Sequence, residues 1–343
     1  RYLRGGGLDA AAFAIHMESA EVHGGFLQGV AAYRQQIRDG LEEILPPQQA
    51  AGVMAMATGD REGMDPAAED ALARSGLIHL AAVSGMHLSV LAGIFLRLAG
   101  PRAARSKWVL FLALGMMVAF SALAFFTGSV LRSAVMTAVY LLAGVLGRSH
   151  DAKSAMGLSA LLLCAANPYA ACDLGLWLSL LATLGILELA APLEGWLRRR
   201  IFGGEGRLER FFASALACTL AATLFTMPLQ AVFFGYFSLV SPLANLLAAP
   251  VADFTLLASL AGSLLLPVLG VMPLTALLAR AAALGYTILV QIAQWTASLP
   301  GAVFQTASLW RLFAVLACCG AGILLAYRPA LRLLHRLKGQ GAT

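Results

Sequence analysis

The chain has 343 residues, 59% of them hydrophobic and 12% charged, with a net charge of +6 and a mean hydropathy of +0.78. That balance excludes an ordinary water-soluble domain and describes a polytopic membrane protein. Charge is divided unevenly: residues 1–76 carry 11 acidic and 6 basic side chains, a net of −5, and residues 77–343 carry 7 and 18, a net of +11.

The chain opens Arg1-Tyr2-Leu3-Arg4-Gly5, with neither an initiator Met nor the apolar core of a cleavable signal peptide, so it is expected to begin inside a longer protein. Phe13, Ile15 and Met17 alternate with small or polar residues before Gly24-Gly25, a pattern that reads as the last strand of a small β-structure. Tyr33, Ile37, Leu41, Ile44 and Leu45 recur at helical spacing, which predicts an amphipathic helix stopped by Pro46-Pro47. A second helix, Gln48 to Ala57, ends at Gly59-Asp60-Arg61, and Asp65-Pro66 caps a third that runs to about Arg74. None of the three is long enough to cross a bilayer. Residues 1–76 therefore form an extracytoplasmic or interfacial segment, on or beside the membrane.

From Gly76 on, apolar segments follow at 77–97, 108–126, 130–147, 153–166, 174–192, 211–235, 243–268, 274–298 and 309–327, nine by the usual length criterion. The connections at 97–107, 148–153 and 198–210 and the tail after Tyr327 carry clustered arginines and lysines; those at 127–129, 167–173, 236–242 and 300–308 carry none. The positive-inside rule then places the N-terminal block outside and the basic tail, 328–343, in the cytoplasm. The fold class is all-α: a transmembrane helical bundle over 77–327 with broken helices. Pro242 and Pro250 bracket Asn245 and mark one expected break or re-entrant turn.

Polar groups inside such segments must find partners or face water. His79, Ser84 and His87, with Gly85 between the last two, cluster at the start of the first span. Ser84 and His87 share a helical face, the spacing of a nucleophile and base, but no carboxylate lies near in sequence to orient the histidine, and a polar lining is the simpler reading. An intramembrane Ser/His hydrolase and a secondary transporter for a small solute are the alternatives; a transporter of that kind predicts inverted repeats, and none is visible. Asp253 stands in an apolar stretch and needs a partner or water, whereas Arg132, Arg280 and Arg311 lie within reach of helix ends. Asp60 and Arg61 can pair with each other or with helix termini. The five cysteines show no ligand spacing, and no metal motif or cofactor is read.

In order along the chain, Gly59-Asp60-Arg61, the run His79-Leu80-Ala81-Ala82-Val83-Ser84-Gly85-Met86-His87, Ser129 to Met136 around Arg132, Asn167-Pro168 with Leu178-Ser179, Phe237 to Pro250, and Trp295 to Gly301 together resemble the competence domain of the ComEC DNA-uptake family. The resemblance covers about residues 50–310 and departs at Trp177, where the family more commonly has Gln. It implies a channel in the bacterial inner membrane that passes single-stranded DNA during natural transformation. It also implies lipid as surroundings, and a DNA receptor, a nuclease, a cytoplasmic ATPase and single-strand-binding proteins as partners. Family members usually add an oligonucleotide-binding β-domain before this region and often a metallo-β-lactamase-like nuclease after it; the HxHxDH signature of the nuclease is missing here, so no catalytic role is expected. On this resemblance His79, Ser84, Gly85, His87, Arg132, Asn245 and Asp253 are candidates for the DNA path, and Phe233, Phe234, Tyr236 and Phe237 for base stacking or an interfacial belt.

Overall fold

In the computed structural model, the residues described are 25–81, 106–124, 128–145, 151–202 and 206–305, with isolated positions at 88, 91–93, 95, 97, 100, 126 and 313. The β-strand expected before Gly24, most of the first and last apolar segments, and Ser84, Gly85, His87 and Arg311 lie outside the described residues.

Helix α1 (Gly25–Ile44) buries Ile37, Leu41 and, just beyond its end, Leu45. Pro47 starts α2 (Pro47–Thr58) in the first helical turn, where a missing N–H costs nothing. Gly59, at φ 80°, closes that helix in the left-handed region. Helix α3 (Pro66–Ser75) is capped by the Asp65 carboxylate, which accepts from Ala67 N–H, and is closed by Gly76 at φ 80°. The second and third match the sequence reading to within a residue or two; the first stops where expected, ahead of Pro46, but begins at Gly25, eight residues before Tyr33. A single 3-10 turn (Ile78–Ala81) follows.

The membrane part continues with α4 (Lys107–Leu123), α5 (Gly128–Val145) and α6 (Ala152–Ala166), whose Asp151 cap accepts from Lys153 and Ser154 N–H. After a 3-10 turn (Pro168–Cys172) come α7 (Leu174–Gly185) and α8 (Ala191–Leu197), separated by a π-turn at Ile186–Ala190 and followed by another at Arg198–Phe202. The first π-turn sits just ahead of Pro192, whose ring would otherwise press on the carbonyl four residues back. Then α9 (Arg207–Phe233), β1 (Tyr236–Ser238), α10 (Ser241–Leu269), α11 (Pro273–Ala297) and β2 (Val303–Gln305) complete the described chain. The two strands pair antiparallel, Phe237 opposite Phe304.

Among the described residues, four stretches are long and apolar enough to cross a membrane: Leu174–Ile201, Arg207–Phe233, Ser241–Leu269 and Pro273–Ala297; Trp108–Leu123, Val130–Ala143 and Ala152–Ala166 are shorter apolar helices. All seven fall on expected spans, and the all-α, membrane-embedded class stands. The break expected between Pro242 and Pro250 is not there: α10 runs unbroken from Ser241 to Leu269. Pro242 occupies the first turn, where its N–H is not needed. Around Pro250 the helix is held by Ala244, Ala248 and Ala252, buried against Leu72, Leu77, Tyr286 and Leu289. The interruptions lie instead at the π-turns beside α8.

The α10–α11 hairpin is the spine. Its helices meet at small residues: a Cβ on Gly285 would collide with Thr255, and one on Gly262 would touch the backbone of Ala279 at 3.4 Å. Helix α2 lies on this hairpin with Ala50 and every residue from Gly52 to Thr58 buried, Gly52 set directly against the Tyr286 ring. Helix α1 packs through Ile37, Leu41 and Leu45 on Ala258, Leu266, Ala279, Ala282 and Ala283. Helix α3 packs along α11.

Candidate functional site

The Gly59-Asp60-Arg61 turn ties three parts of the molecule together. With Gly59 ending α2, Asp60 faces α1, and its Oδ2 accepts from Arg34 Nη2 at 2.8 Å and Arg38 Nη2 at 2.7 Å. Oδ1 accepts from Glu62 N–H at 3.1 Å, and Arg38 also reaches Glu62 Oε2 at 3.1 Å. Arg34 extends further, donating from Nη1 to the Leu123 carbonyl of α4 at 2.7 Å. Burial pushes the Asp60 carboxyl up, but the Glu62 N–H and the two guanidiniums together outweigh it and hold it below the ordinary carboxylate range. Desolvation moves Arg34 down from its ordinary value. Asp60 and Arg61 do not pair with each other. Arg61 turns the opposite way, donating from Nε to the Ala81 carbonyl at 3.3 Å and from Nη1 to Glu69 Oε1 at 3.3 Å.

Ala81 belongs to the histidine-serine run, so the turn grips the foot of that motif. The same foot meets α10. A Cβ at Gly76 would stand 2.6 Å from Ser241 Oγ, so only glycine fits there, on grounds of both space and positive φ. His79 Nδ1 donates to the Gly76 carbonyl at 3.0 Å, which places the neutral ring's acceptor on Nε2. Asn245 Nδ2 donates to the Ser241 carbonyl at 2.9 Å and to Ser241 Oγ at 3.1 Å. Gly76, His79, Ser241 and Asn245 thus gather where two distant sequence blocks meet.

A second junction joins two further blocks. Arg132, 7% exposed, donates from Nε to Ser179 Oγ of α7 at 2.9 Å and from Nη1 to Met136 Sδ at 2.8 Å. No carboxylate pairs with it among the described residues. Asp253 stands apart from both junctions, on the exposed side of α10 beside Phe254, and among the described residues no hydrogen bond or ion pair reaches it. Arg280 is likewise exposed, on α11. Pro242 is half-buried beside Ser241, and Pro250 is exposed. Of the aromatic candidates, Phe233 and Phe234 are exposed, whereas Phe237 stacks at a tilt on Phe304 across the strand pair with ring centroids 5.3 Å apart. Trp177, exposed, donates from Nε1 to the Ala171 carbonyl at 2.6 Å. Among the described residues no group of three or more metal-ligating side chains is placed to hold an ion.

Sequence reasoning passed over Arg34, Arg38 and Ser241. Arg34 had left a signal: it falls four residues before Arg38 and on the stripe of Ile37, Leu41 and Leu45, where a charge needs a buried partner.

A family model described as "Competence protein" matches residues 56–331. The chain belongs to that family. Asp60, Arg61 and both junctions lie inside the matched span, whereas Arg34 and Arg38 precede it. The chain is 29% identical over 247 residues to ComE operon protein 3 of Bacillus subtilis (strain 168), covering 70% of this chain and 30% of that protein. It is 28% identical over 242 residues to competence protein ComA of Neisseria gonorrhoeae, covering 67% and 33%. The chain therefore spans about a third of the length of these relatives. No solved structure matches it.

Proposed function

We propose that this chain is the conduit of a DNA-uptake machine in the bacterial inner membrane, passing one strand of incoming DNA to the cytoplasm during natural transformation. The observation that carries the reading is the contact of Gly76 with Ser241, which joins two distant parts of the span matched by the Competence family at the start of a helix long enough to cross a membrane. A single-stranded polyanion needs a passage that is wet, tolerant of four bases and screened from lipid. Polar groups at a helix junction meet the first two needs, and the apolar outer faces of the surrounding helices meet the third. His79, Asn245 and the downstream Ser84, Gly85 and His87 line the route in this reading, with Arg132 and Asp253 as further candidates along it.

The chain's own work is translocation rather than covalent chemistry. The N-terminal block faces outside and the basic tail inside, so the strand enters beside α1–α3 and emerges toward the arginine-rich connections. A DNA receptor and a nuclease would act before the conduit, and a cytoplasmic ATPase with single-strand-binding proteins after it. The test is a strand-resolved uptake assay in a deletion strain complemented with the protein. Labelled single strands should accumulate inside with the wild-type chain and fail to do so when Gly76→Leu separates the two blocks at matched protein levels. Normal strand entry without the protein would refute the proposal. Intact wild-type-level uptake by Gly76→Leu would move the route away from this junction.

A further inference from the structure

Helix α1 presents opposite chemistry on its two sides. Ile37 and Leu41 are fully buried, whereas Gln35, Asp39, Glu42 and Glu43 are exposed. An amphipathic helix of this kind is at home on a water-facing surface. Its packing places it elsewhere. Tyr33 OH donates to the Leu264 carbonyl at 2.6 Å, a Cβ on Gly40 would meet Leu266 at 3.1 Å, and Arg34 holds the Leu123 carbonyl. At the other end of the block, Gly76 lies against Ser241. From Ser241 to Leu266, α10 rises roughly 37 Å at about 1.5 Å per residue, more than the ~30 Å apolar thickness of a bilayer. The three-helix block therefore touches α10 at levels between its two ends and does not sit beyond either of them.

The hairpin tip sharpens the point. From Leu264 to Leu274 there is no polar side chain, and Val268, Met272 and Leu274 are among the exposed large hydrophobics. A turn of that composition belongs in the apolar layer or at its edge. Helix α1 packs on Ala258, Ala279 and Ala282, which precede and follow that tip, and the Asp60 turn is bonded to Arg34 and Arg38, so the acidic side of α1 and Glu62 stand at those levels. Carboxylates at such depth must be hydrated, because lipid offers them nothing.

We infer that the polar face of α1, with the turn at residues 59–63, lines a water-filled recess that reaches membrane depth beside the α10–α11 hairpin. The recess is a vestibule of the passage, a role that rests on the conduit reading; its hydration does not. Asp39, Glu42, Glu43 and Glu62 against Arg38 make its wall net negative, so it gives a polyanion water to move through and no holding site.

The test uses the full chain with its cysteines replaced by alanine and single cysteines introduced for nitroxide labels, in vesicles of phosphatidylethanolamine and phosphatidylglycerol. Phe254→Cys and Leu277→Cys serve as lipid-facing references on α10 and α11; Gln35→Cys and Glu42→Cys probe the recess. The references should be relaxed by oxygen and shielded from a water-soluble nickel chelate, and the probes should show a several-fold higher accessibility to the chelate. Chelate access at both references would overturn the inference by placing the hairpin in water, and shielding at both probes would overturn it by placing α1 in lipid. Uptake is scored with the same variants: the expected accessibility pattern with no strand entry from a functional wild-type background upholds the recess and removes the conduit reading.

Discussion

Two halves of the molecule use apolar residues for different ends. In the half built from α1–α3 on α10 and α11, 50% and 39% of the most apolar windows of the two long helices are buried within the protein. Contacts there are made by Gly52, Gly76, Gly262 and Gly285 approaching side chains and backbone that leave no room for a Cβ or little slack around one. In the half built from α7–α9 the corresponding shares are 11% and 22%, and Trp196, Ile201, Leu208 and Leu224 point outward. The first half is a packed core that fixes geometry; the second spends its apolar surface on lipid. Composition alone does not separate them, since both are equally apolar in sequence. Small residues at regular intervals do not separate them either, since Ala213, Ala217 and Ala221 of α9 are fully buried and Gly185 lies against the Ala221 carbonyl; only the share of each helix that other helices cover does.

The contrast can be broken most severely at the charged turn. Asp60→Ala leaves Arg34 and Arg38 without their shared carboxylate in a largely buried place, and should cost about 3 kcal/mol, in the range for breaking a buried pair. Thermal unfolding in detergent measures it, and Glu62→Ala, an exposed partner, should cost well under about 1 kcal/mol. Next comes Gly52→Val, which forces a side chain into the Tyr286 ring and should lose roughly 1–3 kcal/mol by overpacking. If the second half is as loosely packed as its exposure indicates, Gly195→Ala in α8, where a Cβ would meet only the Arg199 guanidinium at 3.9 Å, should be neutral or slightly stabilising.

The pH response tests the same turn. Asp60 is held below the ordinary carboxylate range, so its stabilisation is fully present above the unfolded value, about 3.9. It is lost as pH falls through the lower folded value. Unfolding midpoints should therefore show no change due to this group between neutral and mildly acidic pH and should fall on stronger acidification. Asp60→Asn should flatten that fall. An effect smaller than that of Asp60→Ala is expected at the second junction: Ser179→Ala removes the Nε acceptor of buried Arg132 and should cost about 1–2 kcal/mol, the penalty for a buried donor left unmet.

Much of the fold was legible because helix signals are local. Pro47, Asp65-Pro66, Gly59 and Gly76 punctuate the N-terminal helices in sequence as they do in space. The seven described apolar segments announced themselves by length. Pro250 misled, because a proline's cost in a helix depends on what surrounds the freed carbonyl, and here Ala248 and Ala252 are clamped by α11 and α3. The site was legible only as separate motifs. Asp60 and Arg61 were visible, but that one faces α1 and the other Ala81 is a tertiary fact. The meeting of Gly76 with Ser241 joins positions 165 residues apart and leaves no periodic trace. Arg34 could have been suspected, being a charge on an apolar stripe.

The central claim, that the strand passes the junction of the two blocks, is tested most directly by photocrosslinking during uptake. A strand carrying 4-thiothymidine, stalled in transit by a bulky end group, should crosslink to peptides containing residues 76–81 and 241–245 and should spare the outward faces of α7 and α9. Crosslinks confined to those outward faces, with none at the junction, would contradict the account.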